Sequence, residues 1–342
     1  MENIAKNISE YKGLWIYAEQ RDGTLMKVAL ELLGAGRELA DILGVPVSAI
    51  LLGNGTDEIA KQLIHFGADQ VYVLDHPLLK QYETNIYTKA ITSLIEKYRP
   101  EIVLFGATFT GRELAPRLAT RLQVGLSADC TELAIDQNRL LVQTKPAFGG
   151  NVMAKIIIPN HRPQIATVRP NVMKRLEPQA SRTGQIINID DISLQAEDLL
   201  TKVIDIVQET ESGVNLQEAK IIVSGGFGLG KPENFGLIKE LADVLGGAVG
   251  ASRAVVDADW ISSYHLVGQT GKTVQPKLYI ACGISGCIQH IVGMQSSEII
   301  IAINKDPNAP IFNIATYGIV GDLVEIVPVI TKVFREKLGK IN

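Results

Sequence analysis

The 342 residues carry 33 Lys and Arg against 37 Asp and Glu, a net charge of −4, with 46% hydrophobic side chains. Such a chain is long enough for two cores, too evenly charged to point to nucleic acid, and lacks the run of about 18 apolar residues that a membrane span needs. Three cysteines (Cys130, Cys282, Cys287) without a CxxC pair argue against a disulfide framework, a zinc site or an iron–sulfur cluster.

The opening MENIAKNISEYKG lacks the charged-then-apolar order of a secretory signal. It is also unlike an Arg- and Ser-rich, acid-poor import leader, so a cytoplasmic location is expected. GLWIYAE (13–19) reads as a short apolar strand. LMKVALELLGAGRELADILG (25–44) has helical period, with Gly44 as its stop. PVSAILLG, TDEIAKQLIHFG and DQVYVLD repeat the cycle, with Thr56 or Asp57 as helix cap. A further helix to Tyr98 leads into EIVLFGAT (101–108), the most apolar strand of this half, and GATFTGREL is a plain strand-to-helix turn. Continuous apolar strands suit a parallel sheet covered on both faces.

After Gly125 the rhythm changes. ADCTELAID, RLLVQTKPAF, NVMAKIIIP and PQIATVRP are strand-like runs separated by turn residues, expected to be added antiparallel strands. From about Lys174 to Ala219 the chain is polar and charged, with a helix expected over SLQAEDLLTKVIDIVQET (193–210). The shift in composition places a domain boundary near residue 208, dividing the chain into 1–207 and 208–342. The second half restarts the α/β pattern with strand and glycine loop KIIVSGGFGLG (220–230), then helix PENFGLIKELADVLG with Pro232 near its first turn. LYIACGI and EIIIAIN are strands, and GDLVEIVPVITKVFREKL is a final helix.

The most informative segment is Leu278–Asn304, LYIACGISGCIQHIVGMQSSEIIIAIN: a strand, a Gly/Ser turn, a helix carrying Gln289 and His290, and a second strand. Gly283 and Gly286 let the backbone approach a ligand with no Cβ in the way. Ser285 and the first amides of the helix supply donors suited to an anion. Upstream, GASRAVVDADW (250–260) and VGQTGKTVQPK (267–277) are two further polar turns. Together the three read as one groove approached from several strand ends.

The order, spacing and identity of these blocks resemble the alpha subunit of the electron transfer flavoproteins. GATFTGRELAPRLATRL (106–122) and KPAFGGNVMAKI (145–156) extend the resemblance over nearly the whole chain. It implies an α/β protein of two domains. The first (1–207) is a parallel-sheet domain with added antiparallel strands that forms the interface with a beta subunit. The second (208–342) is a doubly wound FAD-binding domain that swings as a body, with the polar segment before residue 208 as its hinge.

A flavin needs a place for its pyrophosphate, a cover over its ring and electrostatic tuning at the ring edge. By resemblance Arg253 lies against the ring, where its charge favours added electrons. Thr270 hydrogen-bonds flavin N5, with Val267, Gly268 and Gln269 in the same contact. His290 stabilises negative charge at the C2 carbonyl, by hydrogen bond or as the cation. Ser252, Ser285, Gly286, Cys287, Ile288 and Gln289 match positions around the ribityl chain and pyrophosphate. Asn304, Asp322 and Leu323 match contacts near the adenosine. Cys287 stands where alanine is common, and Phe227, in SGGFG, stands where the family usually has an arginine.

The resemblance implies an electron carrier subunit rather than a stand-alone enzyme. One FAD is expected here, and AMP or a second FAD in the beta subunit, with an acyl-CoA or 2-hydroxyacid dehydrogenase as partner. TGRELAPRLATRLQVGLSADCTEL looks more like anaerobic members, some of which practise electron bifurcation by dividing electrons from NADH between ferredoxin and such a dehydrogenase, than like the mitochondrial type. An adenine-nucleotide-binding scaffold without redox role is the alternative, favoured by Phe227. An NAD-dependent oxidoreductase is weakened by the lack of a GxGxxG turn followed about 20 residues on by an acidic side chain.

Overall fold

The computed structural model describes residues 8–147, 152–204, 215–217 and 219–339. Two units divide the chain, Met1–Ile206 and Val207–Asn342. The first opens with β1 (Leu14–Tyr17), a short hairpin of β2 (Gln20–Arg21) and β3 (Thr24–Leu25), α1 (Lys27–Leu43), β4 (Val47–Gly53) and α2 (Asp57–His65). β5 (Gln70–Asp75), α3 (Thr84–Tyr98), β6 (Ile102–Gly106) and α4 (Phe109–Leu122) continue the alternation. Gly44 ends α1 in the left-handed conformation, and Thr56 stands at the N-cap of α2.

Successive strand residues face opposite ways, so Leu14 and Ile16 join Val47, Ala49 and Leu51 on one face of the sheet. Trp15 and Tyr17 join Ile50 and Leu52 on the other. Leu32 and Leu33 of α1 and Leu63 of α2 cover the first face; Ile91 of α3 and Leu114 of α4 cover the second. Burial of each such side chain contributes about 1.5–3 kcal/mol, which is why these strands are apolar throughout.

The remainder of this unit holds β7 (Leu126–Cys130), β8 (Glu132–Ile135), β9 (Leu141–Ala147), β10 (Val152–Ile156), β11 (Gln164–Val168) and β12 (Gln185–Asn188). The main sheet is seven-stranded in the order β12-β5-β4-β1-β6-β11-β7, every pairing parallel. β8, β9 and β10 form a separate antiparallel sheet, and the β2–β3 hairpin is the other antiparallel pairing among the described residues.

Three expectations are corrected. PQIATVRP is not an added antiparallel strand: β11 sits parallel between β6 and β7 with all five residues buried. A parallel pairing needs a long crossover, and here the β8–β10 excursion serves instead of a helix. ADCTELAID is two strands, the first of them in the main sheet. Over 193–204 the expected helix is absent save for one turn at Ala196–Asp198; residues 205–210 lie outside the described residues. Asp198 is held by Lys89 at 2.6 Å and accepts from the Gln195 backbone at 2.8 Å. Leu194 packs into the core with Ile192 and Leu199 against it. β12, unforeseen in a polar segment, is an edge strand on β5.

In the second unit β13 (Ile221–Gly225), α5 (Phe235–Leu245), β14 (Ala248–Ala251) and the short α6 (Arg253–Asp257) precede β15 (Leu278–Cys282) and α7 (Ile288–Met294). β16 (Ile299–Asn304), β17 (Tyr317–Val320) and α8 (Leu323–Lys337) follow. The five strands are parallel in the order β14-β13-β15-β16-β17. Strand order therefore reverses between β13 and β15, the place where such sheets bind ligands outside their carboxyl ends. Ile222, Tyr279, Ala281 and Met294 fill one face; Val223, Ile280, Cys282, Ile238 of α5 and Val327 of α8 fill the other. Among the described residues no helix is long and apolar enough to cross a membrane, and no group of three or more His, Cys, Asp or Glu is placed to hold a metal ion.

Candidate functional site

The fifteen candidate residues lie at or after the carboxyl ends of four of these strands, β14, β15, β16 and β17, with the 267–270 turn bridged to the end of β14 through Ala251 and Leu266. At the reversal of strand order two glycine turns touch through their backbones: Gly226 N–H donates to Cys282 O and Gly228 N–H to Gly283 O, each at 2.9 Å. A Cβ at Gly226 would lie 2.3 Å from Gly283 O, so this close approach depends on glycine.

Ser252, at the end of β14, is buried and donates its N–H to Gly225 O at 3.0 Å. It turns the chain into α6, whose Arg253 is 63% exposed in its side chain. Arg253 Nε donates to Asp257 one helical turn on at 3.1 Å, and its terminal nitrogen to Thr270 Oγ1 at 3.2 Å. The turn bearing Thr270 is fixed at several points. Val267 N–H donates to Ala251 O at 3.0 Å, Gly268 N–H to Lys272 O at 3.2 Å, and Gln269 N–H to Gln289 O at 2.7 Å. Ser252, Arg253, the 267–270 turn and Gln289 are thus one connected framework.

After β15, Gly286 takes φ +87°, and a Cβ there would meet the Ile311 backbone nitrogen at 2.3 Å. Ser285 accepts from Ile311 N–H at 3.0 Å, and its side chain is exposed, as are Cys287, Ile288 and Gln289. Asn304 donates from Nδ2 to Ile284 O at 3.0 Å and accepts from Asp306 N–H at 3.0 Å, so it clamps the Gly/Ser turn. Asp322 caps α8 by accepting from Val324 N–H at 2.8 Å. Leu323 is core, and its side chain occupies the space a Cβ on Gly283 would take.

His290 differs from the rest: it is only 3% exposed. Its Nε2 lies 3.0 Å from the Tyr279 hydroxyl, and Nδ1 has no hydrogen-bond partner. Burial pushes the imidazolium down to about 4 against an opposing pull from the Val267 backbone, so the ring is neutral at pH 7. In the flavin-free chain burial favours the neutral imidazole over the cation. Burial likewise pushes the Cys282 thiol up to about 12, leaving it unreactive.

Sequence reading missed Tyr279 and Ser224 behind His290, Asp257 as the anchor of Arg253, and Trp260, on which Phe227 stacks with ring centroids 5.0 Å apart and planes at 18°. The Arg253–Asp257 spacing was the available signal for one of them. The donor set fits a flavin nucleotide: a cation, hydroxyls and amides on one edge, and an orphaned buried imidazole nitrogen beside them.

A doubly wound parallel sheet with glycine turns at its reversal of order and polar groups gathered there defines a nucleotide-cofactor domain. Residues 14–194 match the electron transfer flavoprotein domain, and 215–295 the electron transfer flavoprotein FAD-binding domain. The electron transfer flavoprotein subunit alpha of Thermoanaerobacterium thermosaccharolyticum is 58% identical over 96% of this chain and 99% of its own length. That of Megasphaera elsdenii is 49% identical over 97% and 99%. The acryloyl-CoA reductase electron transfer subunit beta of Anaerotignum propionicum is 47% identical over 96% and 97%. The chain belongs to the electron transfer flavoprotein family, among its alpha subunits.

Proposed function

We propose that this chain holds one FAD against its second unit and, paired with a beta subunit, relays electrons between a donor and a flavin-containing dehydrogenase. His290 carries the proposal: a buried neutral imidazole with a free nitrogen at a polar edge is costly unless a ligand completes it. Bound FAD supplies reversible uptake and release of electrons. Arg253, steadied by Asp257 and Thr270, brings a permanent positive charge to the ring. Thr270 and Gln269 offer polar groups from a turn that backbone bonds hold rigid. Ser285 and Gln289 offer further exposed polar groups for the ribityl and phosphate portion, and Asp322 an exposed carboxylate toward the ribose.

The beta subunit would hold AMP or a second FAD. An acyl-CoA dehydrogenase partner is supported by the relative named as an acryloyl-CoA reductase subunit. Bifurcation of electrons from NADH toward ferredoxin is supported by the resemblance of segment 110–133 to anaerobic members. The test is anaerobic titration of the chain purified with its beta subunit. Bleaching of the flavin band by NADH, with reduction of ferredoxin only when an acyl-CoA dehydrogenase and its unsaturated enoyl-CoA acceptor are added, is expected. Bleaching by a reduced dehydrogenase alone would leave a single-path carrier, and bound adenine nucleotide without flavin would replace the proposal by the scaffold.

A further inference from the structure

Ser224 and Tyr279 are wholly buried and reach the site only through His290. Their hydroxyl oxygens lie 2.6 Å apart, and the Tyr279 hydroxyl is 3.0 Å from His290 Nε2. Register explains the meeting. Ile222 of β13 pairs with Tyr279 of β15, and Ser224, two residues on, projects from the same face. Gly250 is the partner of Ser224 on β14, where a Cβ would stand 2.1 Å from Ser224 Oγ. Glycine there makes room for the hydroxyl.

Two proton arrangements are open to this row of groups. In the first, Nε2–H donates to Tyr279 and Tyr279 donates to Ser224. The Ser224 hydrogen then has no further acceptor among the described residues, and Nδ1 is a bare lone pair. In the second, Ser224 donates to Tyr279, Tyr279 donates to Nε2, and Nδ1 carries the proton. Only the second gives both buried hydroxyl hydrogens an acceptor, its one remaining donor, Nδ1–H, lying toward the Val267 backbone. The first leaves the Ser224 hydrogen stranded, and a buried donor left unpaired costs about 1–3 kcal/mol. It also presents a donor, rather than a second lone pair, to an electron-rich ligand atom.

We propose that Ser224 and Tyr279 are positioning residues that hold His290 as its Nδ1–H tautomer, so that it meets the cofactor as a neutral hydrogen-bond donor. The inference rests on the reading that FAD lies against His290. It is tested on the full-length chain with its beta subunit, labelled with 15N-histidine, the His290 signals being assigned by their loss in His290→Gln. The expected result is a protonated Nδ1 and an unprotonated Nε2. Tyr279→Phe should remove the hydrogen bond donated to Nε2, read as a shift of the Nε2 15N signal toward that of a free lone pair, and make the flavin potential more negative. Ser224→Ala should keep Nδ1–H, because Tyr279 then has His290 as its acceptor. A wild-type His290 protonated on Nε2 overturns the inference even if Tyr279→Phe folds poorly, as does an Nε2 signal in Tyr279→Phe equal to that of the wild type. Absence of flavin from the wild type overturns the FAD reading instead, and the tautomer is still read in the flavin-free chain.

Discussion

Replacement of His290 by Gln should remove a specific acid sensitivity from the second unit. In the folded flavin-free chain burial holds the His290 pKa at about 4, against 6.5 for a free histidine. The sign follows from proton uptake. Between those values the unfolded chain binds a proton that the folded chain refuses, so acid favours unfolding. The histidine leaves stability unaffected above pH 6.5, weakens it progressively as pH falls toward 4, and adds no further loss below. A gap of about 2.5 units at about 1.4 kcal/mol each sets a ceiling of about 3 kcal/mol, of which about 2 kcal/mol is lost by pH 5. Tyr279, the titratable side chain in contact with the ring, is pushed further up by its own burial and stays neutral throughout. Urea unfolding of the flavin-free chain at pH 7, 6, 5 and 4.5, read from the transition that includes Trp260, gives the comparison. Wild type should lose about 2 kcal/mol more than His290→Gln between pH 7 and 5. Parallel curves would refute the buried neutral histidine.

Arg253→Ala should weaken FAD retention by about 1.5–3 kcal/mol, the worth of a charge-assisted contact, measured by equilibrium dialysis; unchanged affinity would remove the cation from the site. Phe227→Arg should tighten FAD while forfeiting a stack on Trp260 worth about 0.5–1.5 kcal/mol; no change in affinity would mean that the loop does not face the cofactor. Gly286→Ala forces a side chain into left-handed backbone and a Cβ against the Ile311 main chain. Together these should cost about 2–5 kcal/mol, seen as a lower urea midpoint, and an unaltered midpoint would show that the turn yields freely.

Continuous apolar runs such as AILL in β4 and VLF in β6 were legible because both faces of the sheet are covered, and a glycine stop such as Gly44 marks a helix end locally. β11 was not legible as a parallel strand, since nothing in GLN-ILE-ALA-THR-VAL distinguishes a strand reached through a hairpin excursion from one paired within it. The run 193–204 carries helical spacing, yet Lys89, more than a hundred residues earlier, holds Asp198 and draws the segment out along the first unit. At the site the exposed polar turns were readable from their glycines and order. Tyr279 was not, because a tyrosine inside LYIAC looks like core and its partners Ser224 and His290 come from another strand and a helix. Such a network exists only after the strands are in register.

The most direct measurement is the nucleotide released by acid from the chain purified with its beta subunit, separated by chromatography and counted against protein. The account predicts at least one FAD per heterodimer, falling when Arg253 is replaced by Ala, with AMP or a further FAD assigned to the beta subunit. A heterodimer containing adenine nucleotide and no flavin would contradict it.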